Sequence, residues 1–272
     1  MTKTILITGA GSGFGKDVAL TLAKRHKVIA GVQIAPQKTE LVDAAKVAGV
    51  NLEVIVLDIT NMEDRDAAFK YQIDVLINNA GIMEAGPVAE IPMNRVRNNY
   101  ETNVFGTLAL IQGFCPQMVQ RGKGKIITVS SIAGLVTMPF GAVYSSTKHA
   151  LEAIVQGLSI ELFGSGVEIC TVNPGVYNTG FNDRGAETMN NWFNPQKSLS
   201  SEEMQDSVAS LLSKQLDPKE QVDELVRIVD EKSSSFRNLC PRNIEPWIKE
   251  IEKLRWSAKS NDQVWINPLG SN

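Results

Sequence analysis

The chain has 272 residues, of which 43% are hydrophobic and 21% are charged, so it is long enough and apolar enough to bury one sizeable core. This composition excludes disordered and fibrous proteins. The 27 basic and 30 acidic residues give a formal net charge of -3, and the scattered basic residues provide no electrostatic footprint for a nucleic-acid backbone.

Short apolar segments rich in β-branched residues alternate with helical patterns through the first two thirds of the chain. Each is apolar almost without interruption, as expected for a strand that is covered on both faces. The alternation predicts an α/β fold with one doubly wound parallel sheet and helices on both faces. The predicted strands are 4–8, 28–32, 52–57, 75–77, 125–129 and 167–172.

The composition changes after residue 180. Residues 182–201 are rich in Asn, Gly and Ser, which predicts a long loop or short helices, and we place a substrate lid at 180–215. We expect a single domain over 1–256 and a polar tail over 257–272, either mobile or a dimer contact. The remaining predicted elements are helices at 201–212, 218–232 and 245–255 and a strand at 236–240.

The cysteines and the apolar runs bear on location. Cys115, Cys170 and Cys240 are too few and too far apart for a disulfide framework or a CxxC site, which favours a reducing compartment. The apolar run near the N-terminus is too short for a signal peptide. The longest uncharged stretch, 126–147, is too polar and too broken to span a bilayer. We therefore expect a cytosolic protein without a membrane segment.

A glycine-rich segment, TGAGSGFGK at 8–16, follows the first predicted strand. Glycines at a strand-to-helix turn let main-chain amides and the positive helix end approach a phosphate group. A P-loop is excluded because Ala10 and Asp17 stand where it needs glycine and Ser or Thr. The plain GxGxxG pattern fails at Phe14, whereas TGxxxGxG fits. An ordinary tight connection is the alternative.

The end of the second strand should contact the adenosine ribose of a dinucleotide. Val32 and Gln33 provide neither an acid for the ribose hydroxyls nor a base for a 2′-phosphate. Without a repelling carboxylate the site should tolerate NADP, which we weakly prefer over NAD, and Lys38 is a candidate partner for the phosphate. Asp58, after the third strand, is either an adenine contact or the cap of the following turn.

Tyr144 and Lys148 are four residues apart in a predicted helix and therefore share one face. A nearby ammonium group favours phenolate, so we expect a lowered pKa for Tyr144 and a role as general acid–base. Because YxxxK arises often by chance, a helix-surface pair is the alternative. No HExxH, EF-hand or GxSxG pattern occurs, so the sequence supports neither a metal site nor a hydrolase nucleophile.

Further features accompany this pair. Ser131 follows the fifth strand, Asn79 lies in an NNAG segment after the fourth, and Asn103 precedes the fifth. With these motifs in order, the chain resembles the classical short-chain dehydrogenase/reductase family from Thr4 to about Thr179, nearly two thirds of its length. The resemblance implies a Rossmann fold, an NAD or NADP cofactor and hydride transfer.

The resemblance also implies roles for individual residues. Ser131 would polarise the substrate oxygen, Tyr144 would transfer the proton, and Lys148 would hold the nicotinamide ribose and lower the tyrosine pKa. Asn103 would anchor a water in the proton relay. The implied cofactor contacts are Gly9, Ser12, Gly13, Phe14, Gly15, Gln33, Asp58, Ile59, Asn79, Ala80, Gly81, Tyr144, Lys148, Pro174, Gly175, Val176 and Thr179.

The expected reaction interconverts a hydrophobic ketone or aldehyde and its alcohol, because Met138, Phe140 and Val176 predict apolar walls. The segment around Pro139 is similar to the steroid and retinol dehydrogenase branch of the family. A dinucleotide sensor without significant turnover is the alternative function. Predicted helices at 95–120 and 144–163 carry apolar residues on more than one face, which predicts a homodimer or homotetramer.

Overall fold

The computed structural model describes residues 1–206 and 214–264. Its sheet has seven parallel strands in the order β3-β2-β1-β4-β5-β6-β7. The predicted doubly wound sheet is therefore confirmed. The strands are β1 Thr4–Thr8, β2 Lys27–Val32, β3 Glu53–Val56, β4 Val75–Asn78, β5 Gly124–Val129, β6 Val167–Pro174 and β7 Arg237–Cys240.

Helices cover both faces of the sheet. The described α-helices are α1 Gly13–Leu22, α2 Ala35–Ala48, α3 Met62–Ala68, α4 Met93–Tyr100, α5 Thr107–Arg121, α6 Ala142–Glu161, α7 Phe181–Met189, α8 Lys219–Asp230 and α9 Glu245–Ser257. The described residues also form three 3-10 turns, Ile132–Gly134, Pro195–Lys197 and Arg242–Ile244, and a π-helical turn, Glu101–Gly106.

The burial of β1 explains its unbroken apolar sequence. Ile5 and Ile7 point into a core shared with α1 and α8, whereas Leu6 points into the opposite core, shared with α3 and α5. All three side chains are fully buried. A strand that is covered on both faces cannot alternate polar and apolar residues, because successive side chains point to opposite faces.

The direction of winding changes between β1 and β4, which lie side by side although two strands separate them in sequence. At such a switch point, loops leaving the carboxyl ends of the strands diverge and leave a crevice. The glycine turn after β1 and the NNAG segment after β4 therefore meet at this crevice.

The structure changes one predicted element near the site. The helix predicted at 95–120 is divided by the π-helical turn Glu101–Gly106 into α4 and α5. A π turn adds a residue to the helical repeat, and here the side-chain amide of Asn103 bonds to the main chain of Ile82, outside the helix. Apolar spacing alone does not reveal such a turn.

The C-terminal third agrees in part with the prediction. The strand predicted at 236–240 and the helices predicted at 218–232 and 245–255 are present as β7, α8 and α9. Of the helix predicted at 201–212, residues 202–206 are helical, and 207–213 lie outside the described residues. The tail has neither helix nor strand over 258–264, and 265–272 lie outside the described residues.

Over the described ranges, every helix is too short or too polar to cross a bilayer. The cytosolic location stays a prediction. Those same ranges contain no cluster of three His, Cys, Asp or Glu side chains that could hold a metal ion.

Candidate active site

The glycine turn opens a cleft at the carboxyl edge of the sheet. Gly9 has φ +66° and Gly13 has φ +52°, a region that glycine adopts without strain. Ser12 precedes α1 in an extended conformation, and its side chain makes no capping hydrogen bond to the first helical turn. The positive end of α1 therefore lacks this side-chain cap at the cleft, where an anion would be stabilised.

Gly15 has a different role from the one predicted. It does not line the cleft, although Gly9, Ser12, Gly13 and Phe14 do. A Cβ at Gly15 would lie 2.3 Å from the main-chain oxygen of Gly9, so this glycine lets α1 pack against the turn. Its contribution to a bound dinucleotide would be indirect.

The cleft encloses about 310 Å³ and contains most of the predicted site. Beyond the turn it is lined by three of the four catalytic candidates, Ser131, Tyr144 and Lys148. The predicted cofactor contacts that also line it are Gln33, Asp58, Ile59, Asn79, Ala80, Gly81, Pro174, Gly175, Val176 and Thr179. Residues far apart in sequence are thus brought to one surface.

One end of the cleft is bounded by Asp58 and Gln33. The side-chain amide of Gln33 donates a hydrogen bond to the Asp58 carboxylate over 3.3 Å, and the Thr60 hydroxyl donates to the same carboxylate over 2.7 Å. Burial acts to raise the pKa of Asp58, but hydrogen bonds from Thr60 and Gln33 outweigh it and hold that pKa below its usual range. This carboxylate is both the cap of the turn and a wall of the cleft, so the two interpretations from sequence are compatible.

Gln37 is a cleft residue that the sequence analysis missed. Its side-chain oxygen accepts hydrogen bonds from the main-chain amides of Gln33 and Ile34, at 3.0 and 3.4 Å. Its position in the first turn of α2, four residues after Gln33, was the only signal available in the sequence.

Ser131 lies two residues after the end of β5 and caps the short 3-10 turn Ile132–Gly134. Its hydroxyl accepts a hydrogen bond from the Ala133 amide at 3.1 Å and donates to the Pro174 carbonyl oxygen over 3.4 Å. These contacts hold the hydroxyl between the ends of β5 and β6, facing the cleft.

Tyr144 and Lys148 share the buried face of α6, as predicted. The ammonium nitrogen of Lys148 donates to the Val129 carbonyl oxygen over 2.9 Å and lies 5.7 Å from the centre of the Tyr144 ring. Both side chains face the cleft that Ser131 lines.

The expected lowering of the tyrosine pKa is wrong for this geometry. Burial raises the pKa of Tyr144 above its ordinary value, and a hydrogen bond with Ser131 lowers it only in part. Burial also lowers the pKa of Lys148 to about 8, against the field of Glu152, which raises it. The spacing of the two residues predicted their shared face, but desolvation, which spacing does not reveal, decides the sign of the shift.

Asn103 lies in the π turn and does not line the cleft. Its side-chain amide is held on both sides: the oxygen accepts from the Ile82 amide at 2.8 Å, and the nitrogen donates to the Ile82 carbonyl and to Thr147. The nitrogen has no proton left for a water, whereas the oxygen keeps a second lone pair, so the role of Asn103 as a water anchor stays a prediction. The π turn also fixes the segment that leaves β4.

A cradle for a polar ligand lies above Gly81. A Cβ at this position would be 3.8 Å from the Lys148 nitrogen and 3.3 Å from the Asn103 side-chain oxygen. Hydroxyl groups of a ribose fit the chemistry of this space. With the anion-attracting end of α1 and the Asp58 carboxylate, the cleft has residues that could hold each part of a nicotinamide dinucleotide.

The lid contributes a cation that the sequence analysis did not single out. Thr179 packs against Gly13, where an added Cβ would lie 3.2 Å from the threonine Cβ. Arg184 of α7 lines the cleft, and no described residue forms an ion pair with it. Its guanidinium could bind a phosphate group in the cleft.

The other end of the cleft has apolar walls, as expected. They are formed by Met83, Met138, Phe140, Val176 and Phe181. Phe140 has φ +56°, an uncommon conformation for a bulky residue, and packs edge-to-face on Phe193 with ring centres 5.8 Å apart. Trp192 lies outside this wall and fills the space beside Gly86.

Comparisons with known proteins show the family to which the chain belongs. The family model for short chain dehydrogenases matches residues 3–190, more than half of the chain. The chain therefore belongs to the short-chain dehydrogenase family, as the sequence motifs predicted.

Individual relatives share parts of the chain. Human retinol dehydrogenase 8 is 35% identical over 187 residues, which are 66% of this chain and 60% of that one, so the chain spans less than two thirds of this relative. A short-chain dehydrogenase from Streptomyces avermitilis is 26% identical with a TM-score of 0.74, over 95% of this chain and 99% of that one. A gluconate 5-dehydrogenase from Burkholderia cenocepacia, solved with NADP and tartrate, is 25% identical with a TM-score of 0.62, over 67% and 74% of the two chains.

Proposed function

We propose that this protein is an NAD(P)-dependent oxidoreductase that interconverts a hydrophobic ketone or aldehyde and the corresponding alcohol. The carrying observation is that Ser131, Tyr144 and Lys148 face one cleft whose other end is the glycine turn. The dinucleotide, when bound, supplies or accepts the hydride. Membership of the short-chain dehydrogenase family supports the same reaction class.

The protein's own part in the reaction is to move a proton and to orient the substrate oxygen. The phenol of Tyr144 carries its proton at neutral pH, because its ordinary pKa already lies well above neutrality and burial raises it further. In this form it can donate the proton to a carbonyl oxygen. The hydroxyl of Ser131 is a second hydroxyl group that faces the same cleft. Two fixed dipoles would stabilise charge that develops on the oxygen.

The substrate class follows from the walls of the cleft. Met138, Phe140 and Phe181 surround the space next to Tyr144 with apolar surface. Apolar walls bind a hydrophobic carbonyl compound better than a sugar or a charged acid. The similarity to a retinol dehydrogenase supports an apolar substrate.

The cofactor is NAD or NADP, with NADP weakly preferred. The end of β2 brings no carboxylate to the cleft, so a 2′-phosphate meets no repulsion from that strand. Lys38, which is exposed in the first turn of α2, is a candidate partner for that phosphate. Titrating the protein with NADPH and with NADH, followed by fluorescence, tests this preference: tighter binding of NADH would contradict it.

The reaction is tested by mixing the protein with NADPH or NADH and a panel of aryl, cyclic and long-chain ketones and aldehydes while following the absorbance of the reduced cofactor. We expect oxidation of the cofactor with at least one apolar carbonyl compound. Binding of the cofactor without oxidation across the panel would instead support a dinucleotide sensor.

We also propose that the protein forms a homodimer or homotetramer through α5 and α6. A groove between these helices is lined by Leu108, Ile111, Ile154 and Leu158, and Phe163 beyond α6 is almost completely exposed. A contiguous apolar groove on the surface is typical of a protein interface, and a second copy of the chain would cover it. Light scattering at micromolar concentration should give a mass above one chain; the mass of a single chain would contradict the proposal.

Finally, we propose that residues 1–256 act as one domain whose segment 180–215 covers the substrate end of the cleft. Hydrogen bonds from Ser198 and from the Leu199 amide to Glu90 attach one part of this segment to the loop after β4. Limited proteolysis should cut this segment first, and bound cofactor should slow the cut.

A further inference from the structure

A buried polar chain lies behind the catalytic face of α6. Glu152 follows Lys148 by one helical turn, and only 8% of its side chain is exposed. One carboxylate oxygen accepts a hydrogen bond from the Asn173 side-chain amide at 2.6 Å. The other accepts two from the Arg237 guanidinium, at 3.0 and 3.3 Å. A buried carboxylate needs such partners to stay ionised.

Asn173 connects this carboxylate to Ser131. Its amide nitrogen donates to the Ser131 main-chain oxygen over 3.1 Å as well as to Glu152, so both of its protons are used. Its side-chain oxygen accepts from the Thr171 hydroxyl at 3.2 Å. The amide therefore has one orientation, and that orientation fixes the main chain of Ser131.

The charge of Glu152 also acts on Lys148, which lies one turn earlier in α6. Burial lowers the pKa of Lys148, and the Glu152 carboxylate is the charge that opposes this effect. The other ionisable side chains near Glu152 and Lys148 are Arg237 on β7 and Tyr144 on α6.

Among the described residues, the charged side chains of the elements packed against α6 have other partners or are exposed. Arg95 of α4 pairs with Glu84, and Arg97 of α4 and Glu101 of the π turn are exposed. The 3-10 turn Ile132–Gly134 has no ionisable side chain. Glu168 of β6 pairs with Lys125 at the opposite end of that strand. Tyr100 of α4 bonds to the Ser146 hydroxyl on another face of α6.

We propose that Glu152 is a positioning residue for the active site: it fixes Ser131 through Asn173 and stabilises the ammonium group of Lys148 from one helical turn away, with Arg237 holding the Glu152 carboxylate in place. The inference rests on the proposed function, because it assigns Glu152 a role toward groups of that site. It predicts two separable effects, one of geometry and one of charge.

Two variants separate these effects in the pH profile of kcat. Glu152→Gln keeps an acceptor oxygen for Asn173 but removes the charge, so the alkaline limb should move down by about one pH unit, as one nearby opposite charge would give. Glu152→Asp keeps the charge but shortens the side chain, so the alkaline limb should stay and kcat should fall at every pH. Glu252→Gln, on the exposed side of α9, is the matched control and should leave the profile unchanged.

A second measurement does not depend on turnover. The melting temperature is measured for the wild type, Glu152→Gln, Lys148→Met and the double variant. At about pH 6.5, Glu152→Gln should lower the melting temperature of the protein with Lys148 by about 2–4 °C more than it lowers that of the Lys148→Met protein. The reason is that Lys148 is left as a buried cation without a nearby opposite charge. The difference should shrink above about pH 9, where Lys148 is largely neutral.

The outcomes are distinct. Additive melting temperatures, or a Glu152→Gln profile that superimposes on the wild type, would overturn the inference. Coupled melting temperatures in a protein that oxidises no reduced cofactor would support the link between Glu152 and Lys148 while contradicting the proposed function.

Discussion

At the glycine turn the wall of the cleft is mainly backbone, whereas at the lid end it is made of side chains from distant segments. Gly9 and Gly13 let the chain curl at the end of β1, and α1 presents its first-turn amides there. At the other end, Phe140 in the wall packs on Phe193, and Trp192, outside the wall, contacts Phe193 and fills the space beside Gly86. The first wall follows from local backbone freedom, and the second exists only when separate segments pack. Changes at the two ends should therefore separate cofactor binding from substrate binding.

The largest effect is expected where the two ends meet. Tyr144→Phe removes the proton donor and should lower kcat by about 10²–10⁴-fold, while dinucleotide binding stays close to that of the wild type. Steady-state kinetics and a fluorescence titration measure the two quantities. Tyr71→Phe, which changes a phenol bonded to Glu53 outside the cleft, is the control and should retain turnover. Comparable turnover in Tyr144→Phe would remove the proton-transfer role from Tyr144.

The next effect concerns stability at the same place. The pKa of Lys148 falls on folding from its ordinary 10.5 to about 8, so protonating this side chain destabilises the folded state. The cost is about 3 kcal/mol below about pH 8 and fades as the pH rises from about 8 to 10.5. The Lys148→Met protein should therefore have a higher melting temperature than the wild type at neutral pH. The increase is reduced by loss of the hydrogen bond to Val129, and it should decline as the pH rises from about 8 to 10.5.

Thermal unfolding over a series of pH values measures this effect. Lys46→Met, at an exposed position in α2, is the control and should show no gain. A Lys148→Met protein less stable than the wild type by the same amount at every pH would show that packing, and not charge, decides the stability at this position.

A change at the backbone wall should affect binding of the cofactor and not binding of the substrate. Gly9→Ala adds a Cβ that would lie 2.8 Å from the Ala80 Cα, so the turn must move and dinucleotide affinity should fall about 10-fold or more. Gly49→Ala is the control, because Gly49 has the same φ of +66° but nothing within 4 Å of an added Cβ. Both variants should lose about 1 kcal/mol of stability to backbone strain. Equal affinities in the two variants would contradict the close approach at Gly9.

The smallest effect is expected at the side-chain wall. Gly86→Ala places a Cβ 2.3 Å from the Trp192 ring and should displace the lid, raising KM for an apolar carbonyl compound a few-fold with little change in dinucleotide affinity. Gly164→Ala, also at positive φ but with nothing within 4 Å, is its control. A change in dinucleotide affinity larger than the change in KM would show that the two ends do not act separately.

The sequence by itself determined the sheet, the glycine turn and the positions of Ser131, Tyr144 and Lys148. Unbroken apolar strands, glycines at a strand end and a four-residue helical spacing are local signals, because each depends on backbone geometry within a few residues. The tertiary structure decided the π turn at Asn103, the cleft residues Gln37 and Arg184 and the direction of the Tyr144 pKa shift. These depend on which distant groups come together and on how much water they exclude, and no spacing along the chain specifies either.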